Sequence, residues 1–553
     1  MNLATLSHTM LPKARALFVA PLGLALFAGC LGNIGDSDDR DPGNNQDALC
    51  ADIPFVRRLT VPEYVSTVKA VLDVDISSEA VEQLPPDLRA DGFTNTAGSL
   101  IVTLDHVENY DVLAALAVER VTDLPGLIDE HTSCTEMTDA CQGELVDSLG
   151  TLLYRGPIAA EERTLLLDIF DDVAAEGEGF EVAAALVLRA MLQSPRFLYR
   201  MEHEAGDGTR ALDGYELANR LSYLLWGAPP DETLYTAAAA DQLTSDDAIA
   251  SQVRRMLKDD RARVTARRYL VDWLHLDRLD NLQRDPAQFP DWNEQLGRDM
   301  KDETVAFFEH LVWEQEAPLS SIFDAQVTFV SPALADHYGL TSPDSDGQVD
   351  LSDVAERGGL LTQGALATVG GNTASMVSRG LYLLENLLCS RVGSPPAGVD
   401  TTPPEIEPGN SQRKYSEDRV DNSSCGGCHV QFEPMAWGLE RYDPTGVYRL
   451  EDQYGNDLLE DGQVLFPGDP EPSGYSTTSE LNTLLAQSDV VKACMAEKSS
   501  QYAIGRPLAK AEDCSLSAID EHFLSSGGTY QDLMVAIALS PMFRRIQLQE
   551  VSQ

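Results

Sequence analysis

Residues 213–226 read DGYELANRLSYLLW and indicate the class of fold. Four leucines in this stretch recur at helical spacing and therefore share one face of an α-helix: Leu217, Leu221, Leu224 and Leu225. The run GAPP at 227–230 ends the helix, because proline has no backbone N–H to donate and clashes with the preceding turn.

The same periodicity predicts helices along most of the chain. Residues 57–73 start with a threonine cap and a proline in the first turn, as helices commonly do. Alternating strand patterns are scarce, and residues 326–330 are a short candidate strand. We therefore expect a mainly α protein. Further helices are predicted at 144–200, 246–280, 294–316, 379–391, 478–506 and 516–546.

The first 30 residues have the layout of a secretory signal. Lys13 and Arg15 precede an apolar run that is too short to cross a bilayer comfortably. Cys30 follows Phe-Ala-Gly and resembles the lipidated cysteine of a bacterial lipobox. We expect a lipoprotein signal peptide at 1–30, a lipid anchor on Cys30 and a polar, flexible tether at 31–49. The alternatives are an ordinary cleaved signal or a membrane anchor.

The charge of the chain is strongly acidic. It has 40 Lys and Arg against 89 Asp and Glu, a net charge of −49. Such a surface repels phosphate backbones, so a nucleic-acid partner is not expected. It favours cationic partners instead.

Nine cysteines divide into three groups. Cys30 is assigned to the lipid, and two belong to the motif described next. The remaining six are an even number in an exported chain, which predicts disulfides. Cys134 and Cys141 would close a short loop, and Cys494 and Cys514 a longer one. By elimination, Cys50 would then pair with Cys389.

The stretch CGGCH at 425–429 carries the clearest chemical signal. In haem c proteins the two thiols of C-x-x-C-H add across the haem vinyl groups, and the adjacent histidine binds the iron. The sequence therefore predicts one covalent haem c, held by Cys425 and Cys428 with His429 as an axial ligand.

Three other roles compete for this motif. A thioredoxin-like dithiol needs a strand, turn and helix around it, which the surrounding sequence does not predict. A zinc site needs further closely spaced Cys or His ligands, and no second pair exists. A disulfide between Cys425 and Cys428 would be strained.

The second axial ligand is less clearly marked. Met495 has the best separation from the motif, whereas Met435 follows His429 by only six residues, barely enough chain to reach the other haem face. Met542 and His522 are further candidates, and an open position is the remaining alternative.

Two arginines that follow the motif have two alternative roles. Arg441 and Arg449, near Tyr442 and Tyr448, have the planar guanidinium that pairs with haem propionates. Ordinary surface salt bridges are an equally good explanation.

Other catalytic signatures are absent from the sequence. It contains no G-x-S-x-G, no H-E-x-x-H, no phosphate-binding loop and no dinucleotide fingerprint. The sequence therefore predicts no particular enzymatic reaction.

Eight stretches together resemble one protein family. They are RRLTVPEY at 57–64, YRGPIAAEE at 154–162, ELANRLSYLLWGAPPDETL at 216–234, RGGLLTQGALAT at 357–368, RGLYLLENLLC at 379–389, CGGCHVQFEPMAWGLERYDPTGVYR at 425–449, YAIGRPL at 502–508 and LSPMFRR at 539–545. The family is the planctomycete-type set of large exported proteins, in which domain-of-unknown-function families 1587, 1595, 1592, 1588 and 1585 surround a single cytochrome-c-like motif. Gly156 and the pair Glu433-Pro434 depart from the family pattern, which has an arginine and Asp-Pro there.

This resemblance implies serial helical domains with a C-terminal cytochrome-c-like haem region, export, and no settled reaction. The expected divisions are an N-terminal helical domain at 50–142, helical domains at 143–205 and 211–340, a haem-motif domain at 355–475 and a C-terminal helical domain at 476–553.

The leading functional hypothesis is electron transfer at the cell envelope, in the outer membrane or periplasm, with an unknown cationic redox partner. A haem-dependent oxidoreductase or peroxidase is the first alternative, because the domains ahead of the motif are larger than an electron carrier needs. A surface binding or scaffold protein without redox chemistry is the second.

Overall fold

The computed structural model describes residues 56–202, 208–395, 398–399, 401–402, 406–509 and 512–547. The predicted signal peptide with Cys30, the tether at 31–49 and Cys50 lie outside these residues. Helices dominate the described part of the chain, and its strands form four two-stranded antiparallel sheets. The prediction of a mainly α fold is confirmed.

Residues 56–202 form a group of helices closed by a short antiparallel pair. Thr60 caps the first helix, and its hydroxyl and the Glu63 side chain make a reciprocal capping box. This confirms the predicted helix start. The elements are β1 (Arg57–Arg58), α1 (Val61–Leu72), α2 (Ser77–Gln83), α3 (Leu104–Glu119), α4 (Leu124–His131), α5 (Asp139–Leu153), α6 (Ala160–Ala175), α7 (Phe180–Gln193), α8 (Pro195–Leu198) and β2 (Tyr199–Arg200).

The middle of the chain contains the helix predicted from the leucine spacing. Asp213 caps it, and all four of its leucines are buried. The predicted strand at 326–330 is also present. The elements are β3 (Thr209–Ala211), α9 (Gly214–Leu225), α10 (Glu232–Ala239), α11 (Asp246–Met256), α12 (Asp260–Trp273), α13 (Glu294–Glu309), β4 (Val327–Phe329), α14 (Pro332–Tyr338) and β5 (Gln348–Asp350).

The last part of the chain is again helical and ends by returning to the middle segment. Its final strand, at 545–547, pairs with β3. The elements are α15 (Gly364–Ala367), α16 (Met376–Leu387), α17 (Gln412–Asp421), α18 (Gly426–His429), α19 (Glu433–Ala436), β6 (Gly462–Val464), β7 (Ser473–Tyr475), α20 (Thr478–Gln487), α21 (Asp489–Ile504), α22 (Asp513–Ser525), α23 (Tyr530–Leu539), α24 (Pro541–Arg544) and β8 (Arg545–Gln547).

Two hydrophobic cores organise these elements. The first runs from Leu59 to Leu198 and also receives Tyr223 from α9. The second runs from Leu217 to Phe543 and receives Phe93 from the first segment. Each core therefore takes one aromatic side chain from the segment that builds the other.

Hydrogen bonds and ring contacts join the two cores. The Tyr223 hydroxyl lies 2.8 Å from the Thr67 hydroxyl of α1. The Phe93 ring packs edge-on against Tyr502 of α21 at a centroid distance of 5.6 Å. Asn95 donates to the Tyr502 carbonyl at 2.8 Å. Residues far apart in sequence are thus fixed at one junction.

One predicted disulfide is confirmed. Cys134 and Cys141 are bonded across seven residues, with their Cα atoms 5.3 Å apart. The bond links the start of α5 to the loop that precedes it.

The two other predicted pairings are wrong. Cys389 bonds to Cys494, which excludes both Cys50–Cys389 and Cys494–Cys514. The reason is tertiary packing: α21 packs against α16, so Cys494 faces the cysteine that follows the end of α16. Cys514 is itself disulfide-bonded, to a cysteine other than Cys494.

No helix within the described ranges has both the length and the apolar character needed to cross a membrane.

Candidate functional site

The C-x-x-C-H motif forms one short helical turn after α17. The Asn422 carbonyl accepts hydrogen bonds from the backbone N–H groups of Cys425 at 3.0 Å and Gly426 at 2.7 Å. The His429 N–H then donates to the Cys425 carbonyl at 3.2 Å. Positions three and four apart share a helix face, so Cys425, Cys428 and His429 lie on the same side of the turn.

Both motif sulfurs are thiols and both are partly exposed. A helix, α17, precedes the motif, and the strand that a thioredoxin-like dithiol requires is not found in this described stretch. Among the described residues, the one compact group of three metal-ligating side chains is Cys134, Glu136 and Cys141, and its two sulfurs form a disulfide. The described part of the chain thus offers no set of zinc ligands around the motif.

The His429 ring is held by two contacts, one with Glu433 and one with Phe432. Its Nδ1 lies 2.5 Å from the Glu433 carboxylate, and its ring packs at 5.1 Å from the Phe432 ring. The side chain keeps 25% of its surface exposed. Because Glu433 occupies Nδ1, Nε2 is the nitrogen left to bind a metal, as in most protein sites where a carboxylate orients a ligating histidine.

Glu433 is an ionised carboxylate buried beneath the motif. Its side chain has no exposed surface, and Arg419 donates two hydrogen bonds to it at 2.8 and 2.6 Å. Burial alone would raise the pKa of Glu433, but the hydrogen bonds from His429 and Arg419 outweigh burial and hold that pKa below its ordinary value. The carboxylate therefore stays charged and orients the imidazole.

Glycine is required at one of the two positions between the cysteines. A Cβ on Gly426 would lie 2.1 Å from the Val420 carbonyl oxygen, which is backbone and cannot move aside. A Cβ on Gly427 would meet no atom within 4 Å. The close approach of α18 to α17 therefore depends on Gly426.

A buried arginine fixes the chain that follows the motif. Arg379 on α16 has 1% of its surface exposed and donates to the carbonyls of Leu439 at 2.6 Å and Tyr442 at 2.7 Å. It also donates to the Val369 carbonyl at 3.1 Å. These bonds hold the segment after α19 against α16.

Three of the candidates for a second axial ligand are buried methionines. Met435, Met495 and Met542 are each at most 2% exposed, within the second core. The helix of Met495, α21, packs mainly on α16, α22 and their neighbours, whereas the motif helix packs on α17. A role for Met495 at the iron stays a prediction.

The two arginines after the motif are paired with carboxylates. Arg449 donates to Asp443 at 2.6 Å, and Arg441 forms an ion pair with Glu460. Arg441 also donates to the Tyr448 hydroxyl at 2.8 Å. The structure thus gives both the salt-bridge role that the sequence left open.

Sequence reasoning missed Glu433 and Arg419 as members of the site. The sequence marks Glu433 only as a departure from the family pattern. A usable signal was present, because an acid four residues after a histidine faces it on a helical turn.

Five family models match the chain in series. Each is described as a protein of unknown function: DUF1587 at 57–123, DUF1595 at 141–202, DUF1592 at 212–340, DUF1588 at 357–452 and DUF1585 at 473–543. The chain belongs to the planctomycete-type multi-domain set. In this chain, the segment that matches DUF1588 contains the C-x-x-C-H motif. Neither a curated protein nor a solved structure matches the chain.

The residues of the motif fit a covalent haem c. Two accessible thiols stand one helical turn apart, as attachment to two vinyl groups requires. The adjacent histidine offers Nε2 for iron because its other nitrogen is held by a buried carboxylate.

Proposed function

We propose that this protein is an exported, lipid-anchored, mono-haem c-type protein that transfers electrons at the cell envelope. The observation that carries the proposal is the pair of accessible thiols beside a histidine whose Nδ1 is fixed by Glu433. A redox dithiol would not need this anchored imidazole, and a zinc site would need further ligands that the described part of the chain does not place around the motif.

Each residue has a defined part in the proposal. Cys425 and Cys428 would hold the haem through thioethers, and His429 would bind its iron through Nε2. Glu433 orients the imidazole and makes it a stronger donor. We propose Met495 as a second residue that would bind the iron, because its thioether is a suitable soft ligand. When bound, the haem supplies one-electron redox chemistry.

The net charge indicates the kind of redox partner, and the predicted lipid anchor indicates the location in the cell. A net charge of −49 favours association with a cationic redox protein and speeds its encounter at low salt. A lipid on Cys30 would hold the protein in the envelope, in the outer membrane or at the periplasmic surface.

One observation favours the second candidate, a haem-dependent enzyme. A cavity of about 480 Å³ lies between the two cores, lined by residues such as Val61, Leu84, Tyr223 and Tyr502. Its volume is in the range of small-molecule sites. The Oδ1 atom of Asn95, on its wall, is buried and has no partner among the described residues. Reduction of the haem that depends on an added substrate would support this candidate.

Electron transfer is tested with small reagents of opposite charge. The ferric protein, expressed with haem-ligation machinery, is mixed with cationic hexaammineruthenium(II) or with the anionic iron(II) complex of EDTA, two reductants of comparable potential. We expect faster reduction by the cation, with a rate that falls as salt is added, because salt screens the acidic surface. Absence of a reducible haem, or faster reaction with the anion, would contradict the proposal.

A further inference from the structure

A small cavity rich in arginine lies where distant parts of the chain meet. Its volume is about 50 Å³. It is lined by residues of β1, β2, α8, α9 and α21. Its carboxylates are Glu202 and Glu216, and its arginines are Arg57, Arg155, Arg196, Arg200 and Arg220.

Both carboxylates are already used by other arginines. Arg220 forms an ion pair with Glu202 and also donates at 2.7 Å to that carboxylate. Arg210 pairs with Glu216 through bonds of 2.6 and 2.7 Å. The direct ion-pair partner of each acid is therefore an arginine other than Arg200.

Three of the other arginines have acceptors other than the two cavity carboxylates. Arg57 pairs with Glu63 at 2.7 Å. Arg155 donates to three backbone carbonyls at 2.7 to 3.0 Å. Arg196 lies 3.5 Å from Glu162.

Arg200 differs from the other arginines of the cavity, because its guanidinium has no direct acceptor within the described part of the chain. Among the described residues, no carboxylate or carbonyl accepts a hydrogen bond from its guanidinium, which lies 5.1 Å from the centre of the Tyr223 ring. Its directly opposed partner across the β1–β2 pair is Arg57, a like charge. Burial, with Arg57 as the next cause, lowers the pKa of Arg200 to about 9.

Arg200 is half-buried, and of the described residues only Glu63 and Glu202, neither of which accepts a hydrogen bond from it, offset its charge. The N–H groups of Arg200 must therefore be satisfied by water or by a bound anion. We propose that this cavity binds a small oxyanion, of the phosphate or sulfate class, through Arg200. The space suits one tetrahedral anion or a few water molecules. Guanidinium groups bind such oxyanions through paired hydrogen bonds.

The anion would link three parts of the molecule. Arg200 ends the first helical group, Arg220 lies on α9, and Ala503 lies near the end of α21. Binding there would stabilise the junction of the two cores independently of the haem motif. The proposal does not rest on the proposed electron-transfer function.

The test is thermal unfolding of the full mature chain, purified without phosphate or sulfate. Sodium phosphate, sulfate, acetate or chloride is added at constant ionic strength. We expect a saturable rise of the melting temperature with phosphate or sulfate and none beyond the chloride control with acetate or chloride. Arg200→Gln should weaken phosphate affinity by at least about tenfold. Arg189→Gln, at an exposed ion pair with Asp111, should leave it unchanged.

Two results would overturn the proposal. One is an equal shift with phosphate and chloride, and the other is an unchanged phosphate response in Arg200→Gln. If Arg200→Gln fails to fold, oxyanion binding at Arg200 is tested in crystals of the wild-type protein soaked in tungstate. Anomalous density beside Arg200 supports the site, and its absence there rejects it.

Discussion

The imidazole Nδ1 of His429 lies 2.5 Å from Oε1 of Glu433, a carboxylate whose side chain is fully buried. The two residues are four positions apart and span the break between α18 and α19. This contact fixes which imidazole nitrogen faces outward. It is the feature of the structure that distinguishes the motif from an isolated pair of cysteines.

Glu433→Gln should keep haem attachment and raise the reduction potential. The amide accepts a weaker hydrogen bond from His429, so the imidazole becomes a poorer donor and stabilises ferric iron less. Loss of the charged partner of Arg419 should also lower the free energy of unfolding by about 2 kcal/mol. Spectroelectrochemical titration and denaturant unfolding measure the two effects.

Glu417→Gln is the matched control for that variant. Glu417 is 36% exposed, and its partner Arg413 also pairs with Asp461, so loss of the Glu417 charge should cost little. An identical potential in Glu433→Gln and in the control would show that Glu433 does not tune the histidine.

Gly426→Ala should lower stability and haem attachment, whereas Gly427→Ala should change neither. The first places a methyl group 2.1 Å from the Val420 carbonyl and must push α18 away from α17. We expect a loss of about 1–3 kcal/mol in unfolding free energy and reduced haem attachment. The second meets open space and should behave as wild type. Intact mass and thermal unfolding compare them, and equal behaviour of the two would refute the packing described here.

The Cys389–Cys494 disulfide should contribute more stability than Cys134–Cys141. It closes 105 residues rather than seven, and loop-closure entropy predicts about 5 against about 2 kcal/mol. Paired serine variants followed by denaturant unfolding measure both values. Peptide mapping without reductant checks the pairing itself. A cross-linked peptide joining Cys494 to Cys514 would contradict the fold in this region.

His275 should make the protein less stable in acid. Burial, aided by nearby Arg89, lowers its pKa from 6.5 to about 4. Between these values the unfolded chain binds more protons, so the contribution is present above pH 6.5 and is lost as pH falls towards 4. His275→Asn suits the positive φ of 49° at this position and removes the titration.

We expect the acid-induced loss of unfolding free energy to shrink in His275→Asn by on the order of 2 kcal/mol, less than the full pKa difference because the ring is partly exposed. Unfolding midpoints measured from pH 8 to pH 4 give the comparison. Parallel pH profiles of the two proteins would contradict the buried, neutral state of His275.

Local sequence patterns predicted the helices well. They did not predict which cysteines form disulfides across the tertiary structure. The leucine spacing of α9 and the threonine cap at 60 follow from rules that act within a few residues. The Cys389–Cys494 bond depends on how α21 packs on α16, which sequence separation does not reveal. The motif residues were evident from their spacing. The spacing of four residues between His429 and Glu433 indicates their contact, but the complete burial of Glu433 does not follow from the sequence.

The most direct test of the central claim is made on one sample of protein expressed with haem-ligation machinery. Intact mass is measured after denaturation, together with absorption spectra before and after dithionite. We predict a mass increase of one haem, a sharp reduced α-band, and loss of both in the variant carrying Cys425→Ser and Cys428→Ser. A bare polypeptide mass with no Soret band would contradict the account and leave Cys425 and Cys428 as a simple thiol pair.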